Sequence, residues 1–297
     1  MDRIVLKPFA KINLGLDIVR RREDGYHEVK MIMQSVNLKD RLIMTSMDKD
    51  MVTMKCNLRD LPTDDSNIVV KAIKLMKNEY KITKGICVDL KKVIPVAAGM
   101  AGGSADAAAA LHGMNKLFDL KLDNDELCRI GLKLGADVPY CIMGGTMLSE
   151  GIGEVLTPIK DAPRCFVAIV KPAFSVSTKA VYEAYDSIPE NDKIHPDIDA
   201  IKEAIEEGDL RKMSIKLQNS LESVTIKEYP FIEEIKRILE EKGAIKALMS
   251  GSGPTVFGIF EDEDTANRAI MEFDGMGKIE KTAVVELYKV NQGKKNG

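Results

Sequence analysis

The glycine-rich stretch from Gly99 to Ser104 holds residues whose chemistry can be anticipated. It follows an apolar, β-branched lead-in and directly precedes a run of alanines, so it predicts a strand, a loop and then a helix. The first turn of a helix offers unpaired backbone N–H groups and a partial positive charge, and glycines let an anion approach them closely. Phosphate is the expected ligand. Ser104 is expected either to cap the helix or to face a phosphate oxygen or its Mg²⁺.

The alternative for this stretch is a tight turn that leads into a buried, Ala-rich helix packed closely on a sheet. The loop also differs from two common nucleotide-binding sequences. No Lys follows Gly103, as a Walker A loop requires, and the G-x-G-x-x-G spacing of a dinucleotide site is absent from the stretch.

Three further stretches carry polar groups suited to a phosphorylated ligand. Lys11 and Asn13 lie two residues apart in "AKINLGL" and are expected on one face of a strand, where a cation and an amide can meet one ligand. The alternative is a Lys at an exposed edge. Asp137 follows a helix-ending Gly, where its carboxylate is either held rigidly for chemistry or satisfies local N–H groups in a turn. The stretch 251–253 either brings a second glycine loop to a phosphate or forms a hairpin connection.

Length and composition limit the classes of function. At 297 residues and 45% hydrophobic content, the chain is long enough for two domains with cores of their own. A net charge of −3 argues against nucleic acid as a partner. Signal-peptide and membrane-spanning runs are absent from the sequence, so we expect a cytoplasmic protein without a membrane partner. The five scattered cysteines are expected to be reduced and mostly buried.

The elements that must position these residues alternate along the first half of the chain. Two early strands are predicted on either side of Lys7 and Pro8, and the pair 24–25 predicts a hairpin turn. Helices are predicted from Ser66, behind a Ser or Asn cap, and along the alanine run. A third capped helix is predicted to end near Gly135, before a short exposed connection.

The second half predicts a further set of strands and helices. A strand is expected over 165–172 and a capped helix over 177–185. The stretches 192–209 and 227–242 read as helices with solvated faces, and the remaining strands predict an antiparallel sheet. The last residues, 291–297, form a polar tail that we expect to be frayed.

The quoted motifs resemble those of a known family. The Lys11 strand, residues 99–108 and "SGSGPTVFG" together resemble the three motifs of the GHMP kinases, which phosphorylate small molecules and include homoserine and mevalonate kinases. The stretches "DGYH", "GADVP" and "STKAVYEAYD" resemble one branch of that family, whose substrate is a cytidine diphosphate-linked methylerythritol. Matching stretches are spread over nearly the whole chain.

The resemblance implies an α+β, two-domain GHMP kinase fold. Its N-terminal domain, residues 1–160, would resemble domain 2 of ribosomal protein S5 and would carry the ATP phosphate loop. Its C-terminal domain, residues 161–297, would be a smaller, ferredoxin-like α+β domain. The partners it implies are ATP and the small-molecule substrate, in a monomer or a homodimer.

The resemblance also implies an activity and a set of site residues. The activity is ATP-dependent, Mg²⁺-assisted phosphorylation of the substrate's 2-hydroxyl, a step of the non-mevalonate (methylerythritol phosphate) route to isoprenoid precursors. Asp137 would be the catalytic carboxylate and Lys11 its cationic partner. The implied substrate-binding residues are Asn13, Tyr26, His27, Thr178 and Tyr182. The implied nucleotide-binding residues are Asn67, Pro95, Gly99, Ala101, Gly102, Gly103, Ser104, Gly251, Ser252 and Gly253.

One position departs from the family pattern. The loop usually carries two adjacent serines, but here Ala105 follows Ser104 and is itself followed by Asp106. The Mg²⁺ ligands therefore stay open, with Ser104 as a candidate. Asp106 would suit the first helical turn, yet its charge near ATP would be unfavourable unless it points away or holds a cation through water. Two alternatives are another GHMP kinase of the homoserine or mevalonate type and a non-catalytic ligand sensor with the same fold.

Overall fold

The computed structural model of the chain describes residues 2–289, which form two units. Unit 1 contains the described residues through Ala10, together with Leu38–Val96 and Ala101–Met143. Unit 2 contains Lys11–Asn37, Ala97–Met100 and the described residues from Gly144 onward. The domain division predicted after residue 160 stays a prediction, and the predicted tail 291–297 lies outside the described residues.

The chain contributes strands and helices to both units. The strands are β1 (Arg3–Leu6), β2 (Phe9–Arg21), β3 (His27–Lys39), β4 (Arg41–Met47), β5 (Val52–Cys56), β6 (Gly85–Lys91), β7 (Thr146–Glu150), β8 (Val155–Pro158), β9 (Phe166–Pro172), β10 (Gln218–Asn219), β11 (Lys246–Met249), β12 (Val256–Phe260) and β13 (Ile279–Glu286). The α-helices are α1 (Ile68–Glu79), α2 (Gly102–Leu117), α3 (Asn124–Leu132), α4 (Asp137–Met143), α5 (Thr178–Asp186), α6 (Ile198–Glu207), α7 (Leu210–Ile215), α8 (Glu222–Glu228), α9 (Phe231–Glu241) and α10 (Glu263–Met271). A 3-10 helix spans Glu190–Asp192.

Unit 1 is a four-stranded sheet with helices on one face. The strand order is β1-β4-β6-β5, antiparallel except for the parallel pair β5 and β6. The alternate residues Leu42 and Met44 of β4 face a core formed with α1 and α2. A Cβ at Gly113 would lie 2.3 Å from the Met44 sulfur, so the Ala-rich helix α2 approaches the sheet closely. The small side chains of α2 are therefore needed for packing.

Helix α4 lies where the sequence predicted an exposed connection. The segment after Gly135 is not an exposed connection, because Asp137–Met143 is helical and buries Val138 and Tyr140. A Cβ at Gly131 of α3 would lie 2.8 Å from Val138 Cγ1, so the two helices pack in close contact. Pro139 is compatible with this helix because the first turn needs no backbone donor from it.

Unit 2 contains two sheets. The order of one is β10-β2-β3-β7-β8 and that of the other is β11-β12-β9-β13. The early strands around Lys7 and Pro8, the hairpin turn at 24–25 and the antiparallel C-terminal sheet are confirmed. A Cβ at Gly15 of β2 would lie 2.7 Å from the side chain of Ile201 in α6, so that helix packs directly on the strand.

Three other predictions need correction. The region 192–209 is helical only over α6, which buries Ile198 and Ile201 and is not merely a solvated face. The helix predicted over 227–242 is two helices, because α8 ends before Pro230 and α9 begins after it. All five cysteines are free, but only Cys165 is fully buried. Across residues 2–289, every helix is too short or too polar to cross a bilayer.

Candidate active site

Lys11 and Asn13 form a buried polar pair in unit 2. Both lie on β2, with Lys11 5% exposed and Asn13 fully buried. The Lys11 ammonium donates a hydrogen bond to Asn13 Oδ1 at 2.7 Å, and Asn13 Nδ2 donates to the Met31 sulfur at 3.4 Å. The shared strand face is confirmed, and the alternative of an exposed edge Lys is wrong. Among the described residues of this unit, no carboxylate pairs with the Lys11 ammonium.

Two glycine loops meet beside this pair. A Cβ at Gly99 would lie 2.1 Å from the Ser250 carbonyl oxygen, and the Ser250 hydroxyl donates to the Gly99 carbonyl oxygen at 2.9 Å. Gly99 has a φ of +71°, which favours glycine. A Cβ at Gly251 would lie 3.6 Å from Asn13 Oδ1, and the Lys11 N–H donates to the Met100 carbonyl at 3.1 Å. The stretch 251–253 thus connects β11 to β12 and also contacts the first loop.

Asn219 holds the second loop and was not anticipated from the sequence. Its buried side-chain amide donates to the carbonyls of Met249 at 2.9 Å and Gly251 at 2.8 Å. It belongs to the two-residue strand β10, which pairs in parallel with β2 at Gly15 and Leu16. Because this strand is so short, the sequence carries no periodic signal that could have identified it.

Thr178 and Ser252 join the same loop to helix α5. Their hydroxyl oxygens lie 2.8 Å apart, within hydrogen-bond distance. Helix α5 begins at Thr178, and the Ser177 side chain caps it by accepting from the Ala180 N–H. The hydroxyl of Thr178 therefore lies at a helix start that the Ser177 cap fixes.

His27 and Tyr182 also lie together in unit 2. Their ring centroids are 4.8 Å apart at an interplanar angle of 46°. His27 Nε2 lies 2.6 Å from Asp186 Oδ1 at the end of α5. Tyr26, which the resemblance also implies as a substrate-binding residue, is 60% exposed.

In unit 1, helix α2 begins at Gly102. Ala101 takes the N-cap position with a left-handed φ of +53°, and no side chain caps the helix. Ser104 lies inside the first turn and not at the N-cap, so the alternative that it caps the helix is wrong. Its half-buried hydroxyl has no hydrogen-bond partner among the described residues. Backbone N–H groups and one hydroxyl are thus available at this helix start.

Asp106 does not belong to the first turn of α2. It is 2% exposed, and its Oδ2 accepts from the Lys92 ammonium at 2.8 Å. Lys92 also donates to Asp40, whose other oxygen accepts the N–H of Ile94 at 2.8 Å. Burial raises the pKa of Asp106 to about 8, against the attraction of the Lys92 ammonium, and the Asp40 carboxylate raises it further. One ammonium faces two buried carboxylates, so ionisation of both at once is unfavourable.

Asn67 and Pro95 also belong to unit 1. Asn67 is the N-cap of α1, where its Oδ1 accepts from the Val69 N–H at 2.8 Å and its Nδ2 donates to the Pro62 carbonyl at 2.6 Å. Pro95 is buried in the segment before the loop. The adenosine contact predicted for Asn67 stays a prediction.

Asp137 is the first residue of α4 and is half-buried. Gly135 accepts the Val138 N–H at 3.1 Å, which closes the turn before the helix. Within the described part of unit 1, the Asp137 carboxylate makes neither a hydrogen bond nor an ion pair, and no hydrogen bond links Asp137, Ser104 and Asn67. The packing of Val138 against Gly131 fixes the backbone that carries this carboxylate.

The part of the chain that the structure describes offers no dedicated protein cage for a metal ion. In residues 2–289, no three His, Cys, Asp or Glu side chains are grouped to bind one. Asp106 faces Lys92, which leaves the Ser104 hydroxyl as an oxygen donor beside Gly103. A hydroxyl and water suit Mg²⁺ when nucleotide phosphates supply the other ligands, so the donors present fit a metal carried by a nucleotide.

Comparison with known proteins places the chain in a family. The family models for the N-terminal and C-terminal domains of GHMP kinases match residues 67–145 and 192–278. A protein of Lachnospira eligens named 4-diphosphocytidyl-2-C-methyl-D-erythritol kinase is 56% identical over 265 residues, which cover 89% of this chain and 91% of the relative. The chain belongs to the 4-diphosphocytidyl-2-C-methyl-D-erythritol kinase family of GHMP kinases. The predicted family is therefore confirmed, and the chain is a small-molecule kinase.

Solved structures agree with this GHMP kinase assignment. A crystal structure of 4-(cytidine 5'-diphospho)-2C-methyl-D-erythritol kinase is 30% identical, with a TM-score of 0.82 and coverage of 97% of this chain and 100% of that one. A homoserine kinase from Cytophaga hutchinsonii, at 20% identity and a TM-score of 0.78 over 97% and 95% of the two chains, shares the fold. The predicted α+β GHMP kinase fold is confirmed.

Proposed function

We propose that this GHMP kinase transfers the γ-phosphoryl group of ATP to the 2-hydroxyl of 4-diphosphocytidyl-2-C-methyl-D-erythritol, in the non-mevalonate pathway to isoprenoid precursors. The observation that carries the choice of substrate is the ring contact of His27 and Tyr182. These residues come from "DGYH" and "STKAVY", two distant stretches that a homoserine or mevalonate kinase would not explain. Their meeting supports a single pocket for a base.

The catalytic step is assigned to Asp137 and Lys11. Phosphoryl transfer through a loose transition state needs an oriented nucleophile and late removal of its proton more than a strong base. Asp137 would orient the hydroxyl and accept its proton. An ammonium carries three hydrogens, and Asn13 Oδ1 accepts one of those of Lys11, so the others can steady charge on the attacking oxygen. Asn13 would help to position the substrate.

Recognition of the base is assigned to the unit 2 aromatic residues. Tyr26 and Tyr182 would stack on the two faces of the cytosine, and each stacked aromatic contributes about 1–3 kcal/mol. His27 would read the polar edge of the base. Thr178, joined to the Ser252 hydroxyl at 2.8 Å, would support the same pocket.

The nucleotide is assigned to the glycine loops and to Asn67. The backbone N–H groups near Gly99 and Gly102 would hold the ATP phosphates, with the loop at 251–253 alongside, and Asn67 would contact the adenosine. Mg²⁺ would be held by the phosphate oxygens together with the Ser104 hydroxyl. When bound, it would neutralise phosphate charge.

A substrate panel tests the proposal. ADP release would be measured with ATP, Mg²⁺ and, in turn, the cytidyl substrate, homoserine and mevalonate. Turnover is expected with the cytidyl substrate alone, and phosphorus NMR of the product should place the new phosphate on the 2-hydroxyl. Turnover with homoserine or mevalonate instead would mean that the base pocket was misread. Binding of the cytidyl substrate without ADP release above the ATPase background would favour a ligand sensor.

A further inference from the structure

Asp186, at the end of α5, contacts the Nε2 side of the His27 imidazole. His27 Nε2 and Asp186 Oδ1 are 2.6 Å apart, and the two side chains are 10% and 20% exposed. The second oxygen of the carboxylate lies 3.4 Å from the guanidinium of Arg21. Because both oxygens of Asp186 have partners, the carboxylate has a fixed orientation toward the imidazole.

This contact determines where the imidazole carries its hydrogen. An ionised carboxylate accepts hydrogen bonds and donates none, so Nε2 of His27 must be the protonated nitrogen. In a neutral ring, Nδ1 is then an acceptor. The Tyr182 ring, 4.8 Å away, limits rotation of the imidazole. Among the described residues of unit 2, none hydrogen bonds to Nδ1, which leaves that lone pair to a ligand.

We propose that Asp186 is a specificity-determining positioning residue, which keeps His27 in the tautomer that accepts at Nδ1 and thereby selects cytosine over uracil. The inference rests on the proposed function, because it takes His27 as the group that reads the base. Cytosine carries an amino group at C4, whereas uracil carries a carbonyl oxygen there. The Nδ1 lone pair accepts from the amino group and repels the carbonyl oxygen. Asp186 itself does not touch the base; it acts through His27.

The kinetic test compares two substrates, the cytidyl compound and its uridyl analogue. An amide at position 186 keeps the size of the carboxylate but can donate or accept, so Asp186→Asn no longer enforces one tautomer. The ratio of kcat/KM for the cytidyl over the uridyl substrate should fall by about tenfold or more, mainly through KM. Asp199→Asn is the matched control, since Asp199 pairs with Lys30 in the same unit at 2.6 Å and is 66% exposed. The control should keep the wild-type ratio, and an unchanged ratio in Asp186→Asn would overturn the proposal.

Nitrogen-15 NMR of the histidines supplies a readout that does not depend on turnover. The chain has three histidines, so single His→Gln variants assign every ring. In the neutral ring, wild-type His27 should carry its hydrogen on Nε2 and none on Nδ1, and Asp186→Asn should populate the second tautomer. A wild-type ring with its hydrogen on Nδ1 would overturn the proposal without any variant. An enzyme inactive on the cytidyl substrate would contradict the proposed function, while this spectrum would still decide the role of Asp186.

Discussion

The placement of Lys11 is easier to explain by function than by stability. Lys11 is 5% exposed, and its ammonium has one amide oxygen as its side-chain partner in unit 2. Burying a charge with so few partners costs free energy, because the lost hydration is only partly replaced. A ligand oxygen would supply the missing partners.

Replacing Lys11 by Met tests this reading. The substitution removes the charge but keeps a long, flexible side chain, so kcat/KM should fall by about 10²- to 10³-fold. The free energy of unfolding, measured in urea, should stay the same or rise because no charge remains buried. Lys30→Met is the control, since Lys30 pairs with Asp199 elsewhere in the unit. Lost stability with retained activity in Lys11→Met would assign Lys11 a structural role.

The Asp106 carboxyl predicts a dependence of stability on pH. Its pKa is about 8 in the folded chain against an ordinary value of 3.8, so between these values the folded protein holds a proton that the unfolded chain has released. The contribution of Asp106 to the free energy of unfolding is therefore full below the lower value and is lost as pH rises through the higher one. Asp106→Asn cannot titrate and should remove this part of the decline.

Urea unfolding between about pH 5 and pH 9 measures that difference. The stability of Asp106→Asn relative to wild type should increase steadily with pH. Parallel stability curves for the two proteins would show that Asp106 is already ionised in the folded state at the lowest pH.

Site residues that belong to motifs can be proposed from the sequence, whereas residues that act through tertiary contacts cannot. Lys11 and Asn13 were predictable as neighbours because a strand repeats every two residues. Asp186, Asn219 and Lys92 were not. Each contacts a partner that is distant in sequence; His27, for example, is 159 residues from Asp186.

At the scale of elements, the contact between the two glycine loops depends on Gly99. Its φ of +71° and the 2.1 Å separation between a built Cβ and the Ser250 carbonyl oxygen leave no room for a side chain. Gly99→Ala should therefore destabilise the protein by about 2 kcal/mol or more and raise KM for ATP by moving the loop.

Gly275→Ala is the matched control for this substitution. Gly275 has a φ of +76°, but a Cβ there would meet nothing within 4 Å. Only the conformational cost, about 1 kcal/mol, is expected at this position. Thermal or urea unfolding compares the two variants, and equal losses would mean that the loop contact is not what requires glycine at 99.

The elements that the sequence predicted best have long periodic patterns or strong caps. Helix α3 has both a capping box at Asp123 and amphipathic spacing, and it was predicted. Helix α4 spans seven residues and contains Pro139, and it depends on packing against Gly131, which local sequence does not reveal. The break between α8 and α9 falls at Pro230, inside an amphipathic pattern that predicts one continuous helix.

At the scale of the whole molecule, the proposed catalytic groups belong to different units. Asp137 and Ser104 lie in unit 1, while Lys11, Asn13 and Gly99 lie in unit 2. In the proposed function, residues of both sets take part in one phosphoryl transfer. If Asp137 and Lys11 serve the same hydroxyl, removing either side chain should abolish most of the rate enhancement that the pair provides.

A double-mutant cycle on phosphoryl transfer tests whether Asp137 and Lys11 serve the same hydroxyl. Single-turnover rates with ATP and the cytidyl substrate would be measured for wild type, Asp137→Asn, Lys11→Met and the double variant, with substrate binding followed separately by calorimetry. Each single substitution should lower the rate by about 100-fold or more while binding changes little, and the double variant should be scarcely slower than the worse single one. An Asp137→Asn enzyme within a few-fold of wild type, or losses that simply multiply, would contradict the account.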